Sequence, residues 1–260
     1  MDFHPLVIQI IGKFWYLIPI TVIAVVLKTP WFKGVFGEFI VNISAKLFLD
    51  KKQYHLIKNV TLPTEDGSTQ IDHIIVSKFG IFVVETKNMK GWIFGSPNQK
   101  MWTQKIYKHS SKFQNPLYQN YKHVKTLQSL IGLKDHQIYS VIVFVGDSTF
   151  KTDMPENVTY GAGYLRFIKS KTEPVLTESE VHEIKNKIES GRLTPSFKTT
   201  REHVAHVRNI VAEKEKTKDK VCPKCGRPMV IRESKKGKNI GKKFWGCSGF
   251  PKCRYVDRIT

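Results

Sequence analysis

The chain has 260 residues, with 42 Lys and Arg against 22 Asp and Glu for a formal charge of +20, and its four cysteines all fall in the last forty residues. A chain whose first 221 residues lack cysteine is not a disulfide-stapled secreted protein. It contains no Gly-x-x-x-x-Gly-Lys phosphate cradle, which excludes an ATP-driven motor.

Leu6 to Leu27 is apolar apart from Gln9, Lys13 and Thr21, a length that predicts one membrane-spanning helix. No basic segment precedes the run and no small-x-small site follows it, so an anchor is expected rather than a cleaved signal peptide. Lys28, Lys33, Lys46, Lys51 and Lys52 follow the span, which places the bulk of the chain on the cytoplasmic side of a single-pass membrane protein.

Two β-rich runs come next, Ile71 to Val76 and Ile81 to Lys87, separated by the turn-like Ser77-Lys78-Phe79-Gly80. As a hairpin they set Val76 against Ile81, Ile74 against Val83 and Asp72 against Glu85. The two carboxylates then share a face with Cβ atoms about 5 Å apart, and Lys87 lies two residues along on that face. These residues fit two readings. One is the polar face of an ordinary half-exposed hairpin, with Lys87 paired to Glu85. The other is an acidic site in which a divalent cation removes the repulsion between Asp72 and Glu85; oxygen-only ligands at this spacing suit Mg²⁺ or Mn²⁺. His73 projects to the opposite face and is expected to pack, and no partner is assigned to His109 or His123.

Beyond the hairpin, Leu117, Tyr121, Val124, Leu127 and Ile131 recur at helical spacing within Asn115 to Leu133, with Gln119 near the helix start. Tyr139 to Val145 reads as a buried strand that exits at Gly146-Asp147. Thr177-Glu178-Ser179-Glu180 is a capping box opening a helix that Gly191 stops, and its charged positions predict an exposed helix. Thr199 to Lys220 is highly charged, with Val204, Val207, Ile210 and Val211 on one stripe, and reads as a helical tether.

Cys222-Pro-Lys-Cys225 and Cys247-x₅-Cys253 form two pairs around a loop of about twenty residues, the spacing that closes on one tetrahedral Zn²⁺. Residues 220–260 carry twelve Lys and Arg against Glu233 and Asp257, half the net charge of the chain, which requires a polyanionic partner. Phe244, Trp245, Phe250 and Tyr255 are interleaved with Lys242, Lys243, Lys252 and Arg254, a mixture that stacks bases while neutralising phosphates. Trp245 and Tyr255 fit the small core of such a domain equally well.

Asp72 followed by Glu85-x-Lys87 at the end of an apolar strand resembles the PD-(D/E)xK nuclease core. Gly37-Glu38, Gln70-Ile71-Asp72-His73, Gly80 through Asn88, Gly91, Asn115-Pro116 and Gln119 together resemble the nuclease-related domain, NERD. The resemblance implies a restriction-endonuclease-like α/β fold, Glu38 on a first helix, Asp72 and Glu85 as metal ligands, Lys87 as the catalytic lysine and Gln119 on the following helix. Ile71 stands where the wider superfamily usually has proline. Residues 220 to 258 resemble the C4 zinc ribbon at the C-terminus of bacterial type I topoisomerases, which implies DNA binding, single-stranded DNA being the expected form. The expected organisation is an anchor over 1–30, a nuclease-like domain over 31–170, a charged helical linker over 171–219 and a zinc ribbon over 220–260. The expected function is metal-dependent DNA cleavage at the membrane; the alternative is a non-catalytic adaptor that tethers DNA, or a DNA-processing complex, there.

Overall fold

The computed structural model describes residues 16–64, 67–193, 221–234 and 241–258. They divide into two units, residues 1–193 and 194–260.

The first unit opens with helices α1 (Leu17–Lys28) and α2 (Pro30–Phe48). Thr29 separates them. Its extended backbone ends α1, its hydroxyl accepts from the Phe32 N–H to cap α2, and Pro30 takes the first turn, where a missing N–H costs nothing. The two helices are bent by 72°. Among the described residues no single helix is long and apolar enough to cross a membrane, though the bent pair Pro19–Lys28 and Pro30–Phe48 reaches that length and composition together. The straight span expected over Leu6 to Leu27 is therefore seen as helix only from Leu17 onward. Residues 6–15 lie outside the described residues.

Strands β1 (His55–Thr64), β2 (Gly67–Ser77) and β3 (Gly80–Asn88) follow as an antiparallel meander. Next come β4 (Gly91–Phe94), β5 (Met101–Ile106), β6 (His109–Gln114), helix α3 (Pro116–Ile131), β7 (Ile138–Val145), β8 (Ser148–Phe150) and β9 (Val158–Tyr160). Helices α4 (Gly163–Lys169) and α5 (Glu178–Gly191) close the unit. The main sheet has the order β1-β2-β3-β7-β9, with β7 parallel to β3, and a second sheet has the order β6-β5-β4-β8.

The main sheet is covered on both faces. Ile74, Val76, Ile81 and Val83 pack against Leu127 and Ile131 of α3 and Val181, Ile184 and Ile188 of α5. Ile75, Phe82, Val84, Val141 and Val143 pack against Val41 and Ala45 of α2 and Leu165 and Ile168 of α4. The helix expected to be an exposed part of the linker thus completes the core, and the first unit extends to Leu193 rather than ending near 170. Its capping box is present, with the Glu180 N–H donating to Thr177 Oγ1. Val181, Ile184 and Ile188, spaced three and four apart, form a narrow apolar stripe among the charges.

Gly37 lets α2 settle on the ends of β3 and β7. A Cβ there would meet Val145 Cγ2 at 2.9 Å and Asn88 Cβ at 3.1 Å, whereas one at Gly34 would meet nothing within 4 Å. Gly37→Val is therefore expected to destabilise the protein by about 1–3 kcal/mol in urea unfolding. Gly34→Ala is expected to gain up to about 1 kcal/mol from helix propensity alone.

In the second unit β10 (Met229–Glu233), β11 (Lys243–Cys247) and β12 (Val256–Arg258) form an antiparallel sheet. The tether expected over Thr199 to Lys220 lies outside the described residues.

Candidate functional site

The β2–β3 hairpin has the expected register, Val76 opposite Ile81 and Ile74 opposite Val83. The turn is tighter than expected. Ser77 pairs with Gly80, so only Lys78 and Phe79 form the loop, and Gly80 occupies positive φ (126°). Pairing ends at His73 and Val84. Beyond that point the Asp72 carboxylate takes over as acceptor, with the Thr86 N–H donating to its Oδ2 at 3.0 Å.

Glu85 is buried beside Asp72 at this opening and is tied to helix α3. Lys87 Nζ donates to Glu85 Oε1 at 2.6 Å and to Gln119 Oε1 at 2.8 Å, while Gln119 Nε2 donates to the same Glu85 oxygen at 2.7 Å. Helix α3 is held in place for this by two asparagines. Asn115 caps it by accepting from the Leu117 N–H and donates to the carbonyls of Ser96, Pro97 and Gln99. Asn120 donates to Val83 O and Ser140 Oγ, which locks the helix to β3 and β7.

Glu38 follows Gly37 on α2, near enough to Asp72 and Glu85 for their charges to act on one another. Burial and then Glu85 raise its carboxyl above the ordinary value. Asp72 is raised well above its ordinary range by burial, by Glu85 and, less, by Glu38, and the Thr86 N–H and Lys87 offset only part of the total. Burial would raise Glu85 too, but the adjoining His123 ring and the Lys87 ammonium outweigh it and hold it below the usual value. Glu85, Lys87 and Gln119 are thus joined by hydrogen bonds, with Asp72 beside them and Glu38 within reach of their charge.

His123, to which no role was assigned, belongs to the same group. Its Nε2 lies 3.3 Å from Glu85 Oε2, and its Nδ1 lies 2.9 Å from Thr69 Oγ1. It sits four residues after Gln119, and that spacing puts both side chains on one helix face. His73 is fully buried, and burial pushes it down to about 4.

The donor set offered by Glu38, Asp72 and Glu85 is oxygen only and suits a hard divalent cation. Apart from the His123 ring 3.3 Å away, the buried Glu85 Oε2 has no polar partner among the described residues, which leaves it capacity to accept a cation.

The second centre lies in the small unit. The Sγ atoms of Cys222, Cys225, Cys247 and Cys253 all lie within 4.8 Å of one another, with Cys222 and Cys253 3.7 Å apart and Cys225 and Cys247 3.4 Å apart. A tetrahedral Zn²⁺ with bonds of about 2.3 Å needs sulfur separations of about 3.8 Å, so the cluster fits a structural zinc. Gly226, at φ 66°, makes the tight turn after the first pair and returns its N–H to Cys222 O; the Gly249 N–H donates to Cys247 Sγ.

Among the predicted nucleic-acid contacts, Lys242, Lys252 and Arg254 are exposed and Phe244 is half-buried. Trp245 and Tyr255 pack against the cysteine cluster, which makes them core residues of the ribbon. The Lys243 side chain lies outside the described residues. A pocket of about 260 Å³ is lined by Arg232, Phe244, Phe250, Arg254 and Tyr255, and the Arg232 guanidinium stands 5.6 Å from the Phe250 ring centre. Phe250 is the exposed aromatic of this surface.

Residues 33–145 match the nuclease-related domain family, and residues 219–260 match the topoisomerase DNA-binding C4 zinc finger. The chain is a nuclease-related-domain protein with a C-terminal zinc ribbon of the topoisomerase type. An uncharacterised protein of Bacillus anthracis is 37% identical over 189 residues, covering 71% of this chain and 88% of that protein, and the chain belongs to the same family. DNA topoisomerase 1 of Mycoplasma genitalium is 37% identical over 85 residues, 31% of this chain and 12% of the topoisomerase. DNA topoisomerase 1 of Methanocaldococcus jannaschii is 53% identical over 45 residues, 17% of this chain and 5% of the topoisomerase. No solved structure matches the chain.

Proposed function

We propose that this protein is a membrane-anchored, divalent-metal-dependent DNA nuclease whose zinc ribbon captures the DNA that the first unit cleaves. The observation that carries the reading is the convergence of Glu38, Asp72 and Glu85 with Lys87 and Gln119 where the β2–β3 hairpin opens. With β4, β5 and β6 inserted between β3 and α3, the remaining elements run α2-β1-β2-β3-α3-β7, an α/β order in keeping with the restriction-endonuclease-like core that the resemblance implies.

Glu38, Asp72 and Glu85 would hold Mg²⁺ or Mn²⁺. A bound cation of this kind lowers the pKa of its water and neutralises charge on a phosphodiester. Asp72, kept in place by the Thr86 N–H, and Glu85, kept in place by Lys87 and Gln119, preset the acidic oxygens so that little reorganisation accompanies the reaction. Lys87 brings a positive charge beside that site, where it stabilises the anionic transition state. Its link to Gln119 aims it, and His123 steadies the far oxygen of Glu85.

The ribbon, with its basic side chains and the Phe250 pocket, supplies affinity for single-stranded DNA. Carried on the same chain, it raises the local concentration of DNA for the first unit. Anchoring is supported by the apolar surface that α1 and α2 leave in solvent. Ile20, Ile23 and Val25 on α1, and Trp31, Phe39 and Leu47 on α2, are all more than half exposed. On α2 the opposite face, Gly37, Val41 and Ala45, is the one that meets the sheet. The lysines that follow α1 orient the units toward the cytoplasm.

The test is to incubate the detergent-extracted full-length protein with labelled single-stranded, double-stranded and branched DNA in Mg²⁺, Mn²⁺ or EDTA. Metal-dependent cutting is expected. Binding without cutting in any metal overturns the catalytic reading in favour of the DNA adaptor, and recovery of the protein in the soluble fraction without detergent overturns the anchor.

A further inference from the structure

We propose that the outer face of the β6-β5-β4-β8 sheet is a second nucleic-acid contact, which holds a single strand by stacking and charge beside the acidic site. It rests on the reading of the first unit as a nucleic-acid enzyme, and it is distinct from the ribbon.

Strand register decides which side chains form this face. Trp92 pairs with Lys105 across β4 and β5, Thr103 pairs with Lys112 across β5 and β6, and Trp92 pairs with Thr149 of β8. Directly paired residues share a face, and neighbours along a strand alternate. Ile93, Trp102, Phe113 and Phe150 therefore turn inward, where they pack with Ile142 and Phe144. Trp92, Lys105 and Lys112 turn outward.

Outward Trp92 is 48% exposed, with Lys151 Nζ 4.8 Å and Lys105 Nζ 6.0 Å from its ring centre. About half of this large ring stays in solvent, open to a partner. A second aromatic stands nearby. Tyr107 forms the two-residue β5–β6 turn with Lys108, is 93% exposed, and holds a positive φ of 50° that a bulky residue adopts only at a cost in strain.

Lys90, Trp92, Lys105, Tyr107 and Thr149 line one groove of about 540 Å³, with Asp147 as its acidic member. Residues 89–114 contain five lysines and no Asp or Glu. The occupant that complements two exposed rings set among ammonium groups is a strand whose bases stack while its phosphates are neutralised.

Position ties this face to the acidic site. The Met89 N–H donates to Val145 O and the Gly91 N–H to Asp147 O, so the chain passes from β3 into β4 without leaving its neighbours. Trp92 lies five residues beyond Lys87, a separation of no more than about 18 Å. A strand held on Trp92 is therefore held close to the carboxylates.

The test uses the full-length chain and a fluorescein-labelled oligothymidylate, read by anisotropy over a salt series. Trp92→Ala is expected to weaken binding about tenfold, with Trp92→Phe recovering most of the loss. Lys105→Glu combined with Lys151→Glu is expected to lower the slope of log affinity against log salt by about 1.4. Bromodeoxyuridine oligonucleotides are expected to crosslink to Trp92 or Tyr107. Unchanged affinity and slope in these variants, with crosslinks confined to residues 221–258 and a wild type that binds, overturns the second contact and leaves the nuclease reading standing. A wild type that binds no oligonucleotide overturns both. If the lysine reversals release phosphatidylserine vesicles and leave oligonucleotide affinity intact, the face is a lipid contact instead.

Discussion

Asp72→Asn is expected to raise the thermal stability of the metal-free protein while abolishing metal-dependent cleavage. The Asp72 carboxyl sits well above its ordinary value of 3.8 because of burial and the Glu85 charge. A group with a raised value binds its proton more tightly in the folded chain than in the unfolded one. Its protonation therefore favours folding below the ordinary value, and that advantage is lost as pH rises through the elevated value. Above the elevated value the ionised carboxylate is a destabilising element, and asparagine mimics the protonated form while keeping an oxygen for the Thr86 N–H.

Each kcal/mol of strain removed in this way raises Tm by about 2–4 °C for a unit of this size. Differential scanning fluorimetry in EDTA across a pH series would read it, and a wild type as stable as Asp72→Asn throughout the alkaline end of the series would contradict it. Glu85→Ala is expected to do the opposite. Removing this carboxylate strands Lys87, Gln119 and His123, costing about 1–3 kcal/mol of stability. Both variants are expected to lose the upward Tm shift that Mg²⁺ or Mn²⁺ gives the wild type by binding the folded state. Cleavage should fall on the order of 10³-fold or more, the effect of losing several kcal/mol of transition-state stabilisation. DNA affinity, supplied mainly by the ribbon, should stay near wild type.

Stripping zinc is expected to unfold the second unit and leave the first intact. Among the described residues the ribbon's core is little more than Met229, Cys222, Cys247 and Cys253 with Trp245 and Tyr255 packed against them, too small to hold three short strands by apolar burial. Structural zinc in such small domains contributes about 10–16 kcal/mol of binding energy that is also folding energy. One zinc per chain is expected by metal analysis. Cys247→Ser should reduce it toward zero and weaken single-stranded DNA binding by at least about tenfold. The Tm of the first unit, whose core shares no residue with the ribbon, should not move. Full DNA affinity in a zinc-free variant would show that the ribbon is not the capture module.

The sequence by itself determined whatever depends on spacing within one element or one hairpin. The apolar runs Ile71 to Val76 and Ile81 to Lys87 on either side of a short turn set Asp72 beside Glu85, because the length of a hairpin's turn fixes its register. Two cysteine pairs at short spacing specify their own metal, since each pair closes its own turn. Thr177 and Glu180 announce a helix start for the same local reason.

Tertiary structure decided which faces meet. Nothing local to Glu38 or His123 says that they converge on Glu85; Gly37 against Val145 and Asn120 against β3 bring them there, through contacts between residues far apart in the chain. Helix α5 looked exposed because its three apolar residues are outnumbered by charges, yet that narrow stripe is all a helix needs to dock. Residues 91–114 carried no clear strand signal, for their lysines, serines and glutamines have low intrinsic β preference and pair only because Ile93, Trp102 and Phe113 are held inward by the core. The face they turn outward, with Trp92 between two lysines, exists only once that pairing has formed.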